Sequence, residues 1–230
     1  CACCPPNLAR LISSIGSYAF TENEDTLFVH LYMGSNVEKT VNGKTVNVQM
    51  ESDMPWEGNI KIRVQAENAK MTLALRIPGW CKNYKISGIE DAAQEEKDGY
   101  LYWNREENFC IDFPMEVQMF AASERVREDI GKAAIMRGPV VYCLEEKDNG
   151  KNLHELLVDT DIHASVSEGK ICDTVVKMVE TDGWRLTESG DAEETLYHMY
   201  QKVRLHYIPY YTWANRGENE MQVWTRVQNP

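Results

Sequence analysis

The feature that most constrains the fold of this chain is a series of short segments in which apolar and polar residues alternate. Residues 60–64 read Ile-Lys-Ile-Arg-Val, and residues 71–77 place apolar side chains at every second position. Alternation with a period of two is typical of β-strands that bury one face. Turn residues such as Asn42-Gly43 separate these segments. The sequence therefore predicts a mainly β fold.

The first residues of the chain have a different pattern. Apolar residues recur every three or four positions from Leu8 to Ile15, which predicts a helix over about residues 7–20. Pro5-Pro6 suits its first turn, where a missing N–H group costs nothing. The predicted fold is one N-terminal helix followed by two small antiparallel β-sandwich domains of the jelly-roll type.

The chain has 230 residues, which suffices for two domains of about 100 residues each. The turn spacing places the helix in residues 1–24, the first β-sandwich in residues 25–120 and the second in residues 121–230. A polar segment at residues 181–194 is expected to be a loop.

Charge and hydropathy exclude some classes of partner. The chain carries 24 Lys and Arg against 36 Asp and Glu, a formal charge of −12. Because an acidic chain with no basic block cannot replace phosphate counterions, we expect no nucleic-acid partner. The apolar runs are far shorter than the ~20 residues of a membrane helix, so we expect no membrane partner. Since no Met and no secretory leader begin the chain, we expect it to be a piece of a longer protein.

The densest cluster of reactive side chains is Cys1-Ala2-Cys3-Cys4-Pro5-Pro6-Asn7. The partial positive charge at a helix N-terminus favours thiolates, which are both nucleophiles and metal ligands. A tetrahedral zinc site needs four ligands, whereas this segment supplies two or three sulfurs and no nearby His. Further ligands would have to come from elsewhere. The alternative interpretation is that these thiols only pack at a domain junction.

Other residues of chemical interest have simpler interpretations. Four further cysteines are expected to be mostly buried, reduced packing residues, and five histidines are dispersed without metal-ligand spacing. Four tryptophans could stack on sugar rings or pack in cores, and three acidic pairs are expected in solvated loops. These residues are Cys81, Cys110, Cys143 and Cys172; His30, His154, His163, His198 and His206; Trp56, Trp80, Trp103 and Trp213; and Glu95-Glu96, Glu106-Glu107 and Glu145-Glu146.

Four strings occur in an informative order. They are Cys1-Ala2-Cys3-Cys4-Pro5-Pro6-Asn7-Leu8-Ala9-Arg10-Leu11, Leu75-Arg76-Ile77-Pro78-Gly79-Trp80, Met136-Arg137-Gly138-Pro139-Val140-Val141-Tyr142 and Ile208-Pro209-Tyr210-Tyr211-Thr212-Trp213-Ala214-Asn215-Arg216-Gly217. They resemble, in turn, the junction motif, the middle β domain and, for the last two, the closing β domain of glycoside hydrolase family 127, the β-L-arabinofuranosidase family. The first string is the most specific, and the order of the others supports it.

The resemblance implies a retaining glycoside hydrolase built as an (α/α)6 barrel followed by β-sandwich domains, with residues 1–24 as the last helix of the barrel. It implies a zinc ion held by one Glu and three Cys. Cys3 would be both a zinc ligand and the nucleophile that forms a thioglycosyl intermediate, and Cys4 would be a structural zinc ligand. The remaining ligands and the Glu general acid/base would lie upstream. The implied partner is an arabinose-containing oligosaccharide or glycoconjugate.

These implications lead to two expectations for the chain alone. It lacks the upstream ligands and the acid/base, so we expect it to bind no zinc and to hydrolyse no arabinofuranoside. The apolar stripe of its helix would be exposed, fold onto a sandwich or mediate self-association. The alternative function is a carbohydrate-binding or structural β-sandwich module without catalysis.

Overall fold

A computed structural model of the chain describes residues 3–41, 43–66, 71–88, 95–104, 108–187 and 199–228. The chain forms two compact units, Cys1–Met115 and Glu116–Pro230. The predicted mainly β fold with an N-terminal helix is confirmed. No helix among the described residues combines the length and apolarity needed to span a bilayer.

The N-terminal helix, α1, extends over Cys4–Ala19. It begins earlier than predicted because both prolines are accommodated in its first turn, where backbone N–H groups have no helical partner in any case. It ends where Phe20 becomes extended, with φ −136° and ψ 139°, while the Phe20 N–H donates to the carbonyl oxygen of Gly16.

Among its described residues, the first unit contains ten strands after α1. They are β1 (Phe20–Glu22), β2 (Thr26–Val29), β3 (Ser35–Val41), β4 (Lys44–Ser52), β5 (Asn59–Ala66), β6 (Thr72–Arg76), β7 (Lys85–Ser87), β8 (Glu95–Lys97), β9 (Tyr100–Trp103) and β10 (Phe109–Asp112). They make two five-stranded sheets, in the orders β1-β2-β6-β9-β8 and β3-β4-β5-β10-β7. The pair β2–β6 is parallel, with Leu27 opposite Leu73, where the sequence predicted antiparallel sheets.

The two sheets of the first unit share one core. Ile60 and Ile62 of β5 and Leu73 and Leu75 of β6 are all at most 1% exposed and belong to one buried cluster. The polar residue between Ile60 and Ile62 and the polar residue after Ile62 both face solvent. The alternation in the sequence therefore correctly identified the buried face of this strand.

The described part of the second unit, residues 116–187 and 199–228, contains nine strands and a short helix. They are β11 (Val117–Ala121), β12 (Lys132–Arg137), β13 (Val140–Glu145), α2 (Glu146–Asn149), β14 (Leu156–Asp159), β15 (Ser165–Ile171), β16 (Thr174–Thr187), β17 (Met199–Pro209), β18 (Met221–Gln222) and β19 (Thr225–Gln228). Turns of 3₁₀ helix lie at Arg127–Asp129, Leu153–Glu155 and Tyr210–Thr212.

Six strands of this unit form a closed ring rather than two separate sheets. The pairing runs β12-β19-β14-β16-β17-β13 and returns to β12 through the β12–β13 hairpin. The ring encloses buried apolar side chains, which include Ile135, Val158, Val179, Leu205 and Tyr207. This cluster is separate from the core of the first unit.

Two boundaries differ from the sequence prediction. The units divide after Met115 rather than after residue 120, because β11 pairs along its length with β12. Strand β16 continues to Thr187, into the segment predicted as a loop, because it pairs with β17 as far as Met199. The rest of that segment lies outside the described residues.

Candidate functional site

The two candidate thiols lie at the N-terminal end of α1. Cys3 immediately precedes the helix, with φ −87° and ψ −27°, and Cys4 is its first residue. The carbonyl oxygen of Cys3 accepts a hydrogen bond from the Asn7 N–H at 3.1 Å. Both thiol side chains are exposed. The structure therefore presents two adjacent sulfur atoms to solvent at one helix end, while Cys1 lies outside the described residues.

Helix α1 also leaves its apolar stripe in solvent. Ala19 is the buried residue of this helix. The exposed apolar side chains are Leu8, Leu11, Ile12, Ile15 and Tyr18. Of the three outcomes expected for this stripe, the structure has the exposed one, and self-association stays a prediction.

The donor atoms at this end of α1 fit zinc in kind but not in number. Thiolate sulfur is a preferred zinc ligand, and a structural site takes four ligands. Cys3 and Cys4 supply two. Within the described ranges no group of three or more His, Cys, Asp or Glu residues is arranged to hold a metal ion. A complete site would need ligands from outside the described residues.

The four tryptophans considered from the sequence divide into two groups. Trp103 is buried and packs on Phe109 with ring centroids 5.3 Å apart, and Trp80 packs partly buried against the same core. These two are packing residues. Trp56 and Trp213 are exposed by 43% and 38%, so only this second group is accessible to a sugar.

Two of the described histidines, His30 and His206, make local pairs. His30 Nδ1 lies 2.8 Å from the Tyr100 hydroxyl, and burial, followed by the nearby Arg76 charge, lowers the pKa of this imidazole. His206 Nδ1 lies 3.1 Å from a Glu180 carboxylate oxygen. These contacts explain both rings without a metal. His198 lies outside the described residues.

The remaining cysteines are not all packing residues. Cys143 is buried, and burial raises the pKa of its thiol to about 12. Cys81 and Cys110 are partly buried. Cys172 is exposed in the turn between β15 and β16, where its φ is +52°. The prediction of a buried Cys172 is therefore wrong, because a two-residue turn places this side chain at the end of a hairpin.

A segment after β17 carries three exposed aromatic side chains. We call residues 210–216 the aromatic loop. Tyr210, Tyr211 and Trp213 are exposed by 43%, 47% and 38%. The ring centroids of Tyr210 and Trp213 are 6.5 Å apart, and their planes are inclined by 31°. Trp213 is one of the four tryptophans that the sequence offers for stacking on a sugar, whereas no sequence pattern singled out the two tyrosines beside it.

The aromatic loop is attached to the end of β13 by a buried carboxylate. Glu145 has no exposed surface. Its Oε1 accepts a hydrogen bond from the Ala214 N–H at 3.0 Å, and its Oε2 accepts one from Arg216 Nε at 2.9 Å. Arg216 also donates to Asp148 at 2.9 Å. The prediction that the pair Glu145-Glu146 is solvated is therefore wrong for Glu145.

The other two acidic pairs have different outcomes. Glu95 and Glu96 are exposed, as predicted, but they lie in strand β8 rather than in a loop. Glu106 and Glu107 lie outside the described residues.

Two family profiles match consecutive parts of the chain. The profile described as "Beta-L-arabinofuranosidase, GH127 middle domain" matches residues 26–119. The profile described as "Glycoside hydrolase family 127 C-terminal domain" matches residues 117–226. The first match spans β2 to β10 of the first unit and reaches into β11. The second match spans nearly all of the second unit.

Individual relatives agree with these profiles. The chain is 32% identical, over 98% of its length, to the non-reducing end β-L-arabinofuranosidase of Bifidobacterium longum subsp. longum, of which it covers 37%. It matches the crystal structure of a GH127 β-L-arabinofuranosidase from Geobacillus stearothermophilus T6 with a TM-score of 0.91 and 39% identity, covering 99% of this chain and 38% of that one. A solved GH127 β-arabinofuranosidase matches with a TM-score of 0.88 and 29% identity, and the match covers 100% of this chain and 40% of that one.

The chain thus spans about two fifths of the length of these relatives. The two profiles are adjacent and together cover residues 26–226. The fold agrees with solved members over nearly the whole chain. On this evidence the chain belongs to glycoside hydrolase family 127, of which it carries the middle and C-terminal domains.

Proposed function

We propose that this chain forms the β part of a retaining glycoside hydrolase that acts on β-L-arabinofuranosides, with Cys3 as the nucleophile. The relatives from Bifidobacterium and Geobacillus are named β-L-arabinofuranosidases and align with nearly all of this chain, which supports the substrate class. The observation that carries the role of Cys3 is its exposed thiol next to α1, a helix that leaves its apolar stripe uncovered. The partner is an arabinose-containing oligosaccharide or glycoconjugate.

In this proposal the sulfur of Cys3 takes the role that a carboxylate has in most retaining glycosidases. The thiolate attacks the anomeric carbon, a carbon–sulfur bond forms, and the bond to the leaving oxygen breaks as a general acid protonates that oxygen. Water, deprotonated by the same group, then displaces Cys3 and releases the sugar. Covalent catalysis of this kind divides one difficult displacement into two easier ones. The acid/base comes from outside the described residues.

The proposal includes a zinc ion with Cys3 and Cys4 as two of its ligands. Bound zinc keeps a coordinated thiol deprotonated. Both sulfur atoms are exposed at the same helix end, so ligands from another part of a longer protein could reach them. Cys4 then serves to hold the ion, and Cys3 provides the reacting sulfur.

The test compares the 230-residue chain with a longer version that has the length of its relatives. Hydrolysis of an aryl β-L-arabinofuranoside and metal content by elemental analysis are measured for both. We expect neither turnover nor stoichiometric zinc in the chain alone, and both in the longer version. Cys3→Ala should abolish turnover and Cys4→Ala should release zinc. Cys172→Ala, which removes another exposed thiol, should change neither.

Three results would contradict the proposal. Turnover by the chain alone that disappears in Cys3→Ala would show that no additional residues are needed. Full turnover by the longer version carrying Cys3→Ala would exclude Cys3 as the nucleophile. Absence of turnover in the unmodified longer version would favour the alternative of a module without catalysis.

A slow substrate should also leave a sugar adduct on the Cys3 peptide, detectable by mass spectrometry.

A further inference from the structure

The aromatic loop exposes side chains that folded proteins ordinarily bury. Aromatic side chains contribute about 150–250 Å² of buried area each when they enter a core. Tyr210, Tyr211 and Trp213 instead keep about two fifths of their surface in solvent. Clustered exposed apolar area on a folded protein commonly marks a binding site.

The loop that carries these rings is held by many hydrogen bonds. The buried hydroxyl of Thr212 donates to the Pro209 carbonyl oxygen at 2.7 Å. Asn215 Nδ2 donates to the Thr212 carbonyl oxygen at 3.0 Å, and the Cys172 thiol lies 3.2 Å from the Asn215 carbonyl oxygen. Together with the carboxylate of Glu145, these contacts fix the backbone between and around the rings. A surface fixed in advance loses little entropy on binding.

The exposed area fits a small ligand better than a protein. With about 100 Å² exposed per ring, the three rings offer about 300 Å² in all. A stable protein interface needs about 800 Å² per partner. The patch is therefore too small to hold a second copy of this chain by itself, but it matches one or two sugar residues.

The chemistry of the rings points to the same class of ligand. One face of a sugar ring is lined with C–H groups and packs on an aromatic face, while its edge carries hydroxyl groups. The rings of Tyr210 and Trp213 lie side by side with centroids 6.5 Å apart and planes tilted by 31°. A Tyr hydroxyl and a Trp N–H also give each ring a polar edge that can form hydrogen bonds with sugar hydroxyls.

We propose that the aromatic loop is a carbohydrate-binding surface of the second unit, on which the rings of Tyr210 and Trp213 stack against a sugar residue of a glycan. The surface involves neither Cys3 nor hydrolysis, so it goes beyond the function proposed above. Only the choice of an arabinose-containing probe rests on that function.

The test is a titration of the 230-residue chain with a soluble arabino-oligosaccharide. Binding is measured by calorimetry and by the change in tryptophan fluorescence. A soluble xylo-oligosaccharide serves as a second probe of the same chemical class. Trp213→Ala and Tyr210→Ala should each weaken binding about tenfold. Trp56→Ala is the matched control, because Trp56 is exposed by 43% in the first unit, and it should bind as the unmodified chain does. Cys3→Ala should also bind normally.

Circular dichroism and the thermal midpoint establish that each variant is folded, which is expected because the replaced rings are exposed. Binding of either probe that is lost in the two loop variants supports the proposal. It is overturned if the chain binds neither glycan, or if Trp213→Ala binds as tightly as Trp56→Ala. Concentration-dependent dimerisation in sedimentation experiments, abolished by Trp213→Ala, would also overturn it, since a second copy would then occupy the surface.

Discussion

Arg216 donates hydrogen bonds through its guanidinium group to the carboxylate of Glu145, 71 positions earlier in the chain. Glu145 has no solvent exposure, and Arg216 is 19% exposed. The hydrogen bond with Asp148, followed by that with Glu145, raises the pKa of the Arg216 guanidinium, so the cation is retained. A buried carboxylate therefore anchors the aromatic loop to the end of β13.

Removing the cation should strongly destabilise the second unit. Arg216→Ala leaves a buried charge without its partner, which typically costs about 3–5 kcal/mol. Arg216→Lys should cost less, because it keeps the charge and loses the planar fork. Arg63→Ala is the control: Arg63 pairs with Glu51 at 3.0 Å while both side chains are nearly half exposed, and it should cost less than about 1 kcal/mol. Equal losses for Arg216→Ala and Arg63→Ala in urea unfolding would contradict the burial argument.

Gly58 should not tolerate a side chain. A Cβ atom at this position would lie 1.8 Å from the Phe113 carbonyl oxygen, and the Phe113 N–H donates to the Gly58 carbonyl oxygen at 3.0 Å. Because backbone would have to move, Gly58→Ala should cost about 2–3 kcal/mol. Gly79→Ala meets no atom within 4 Å and should change stability by less than about 0.5 kcal/mol. A thermal midpoint for Gly58→Ala equal to that of Gly79→Ala would show that the close approach is absent.

The thiols should differ in reactivity toward alkylating agents. Cys143 is buried, and its thiol pKa of about 12 keeps it protonated at neutral pH. Cys172 is exposed. Brief treatment of the native chain with iodoacetamide should modify Cys172 and leave Cys143 intact, as read by peptide mass spectrometry. Treatment in urea is the control and should modify both. Early modification of Cys143 in the native chain would mean that the closed ring of strands in the second unit opens readily.

The imidazole of His30 should make the first unit sensitive to acid. Its Nε2 lies 2.6 Å from the Thr21 hydroxyl, and burial lowers its pKa below 6.5. The folded state therefore binds this proton less readily than the unfolded state does, so the stabilising contribution is present above pH 6.5 and declines as the pH falls below it. His30→Gln should reduce the loss of stability on acidification. His163→Gln, at a side chain that is 72% exposed, serves as the control. A pH dependence that is the same in both variants would exclude His30 as its source.

The sequence determined which side of each strand is buried more reliably than which strand lies beside it. Alternation around Ile60 and Ile62 predicts an apolar face, and both side chains are buried. The parallel pairing of Leu27 with Leu73 leaves no such mark, because a period of two describes one strand and not its neighbour. Thr187 lies in a polar segment that predicts a loop, yet it pairs with Met199, because local polarity does not reveal a distant pairing partner.

Local sequence patterns also identified some residues of the candidate sites and missed others. Proline content and apolar spacing place Cys3 and Cys4 at a helix end, which the structure confirms. Glu145 gave no comparable signal, since a charged residue in an acidic pair is ordinarily solvated. Its burial depends on Arg216, and a partner so distant in sequence cannot be identified from local pattern.

The closed ring of strands in the second unit affects when this unit can complete its folding during synthesis. Strand β19, the last described strand, lies between β12 and β14 and pairs with both. Until it emerges from the ribosome, those two neighbours have unpaired backbone edges, which are templates for pairing with other chains. Contacts between strands so far apart in sequence also form slowly. We therefore expect the nascent chain to be vulnerable to aggregation during the interval between translation of β12 and arrival of β19.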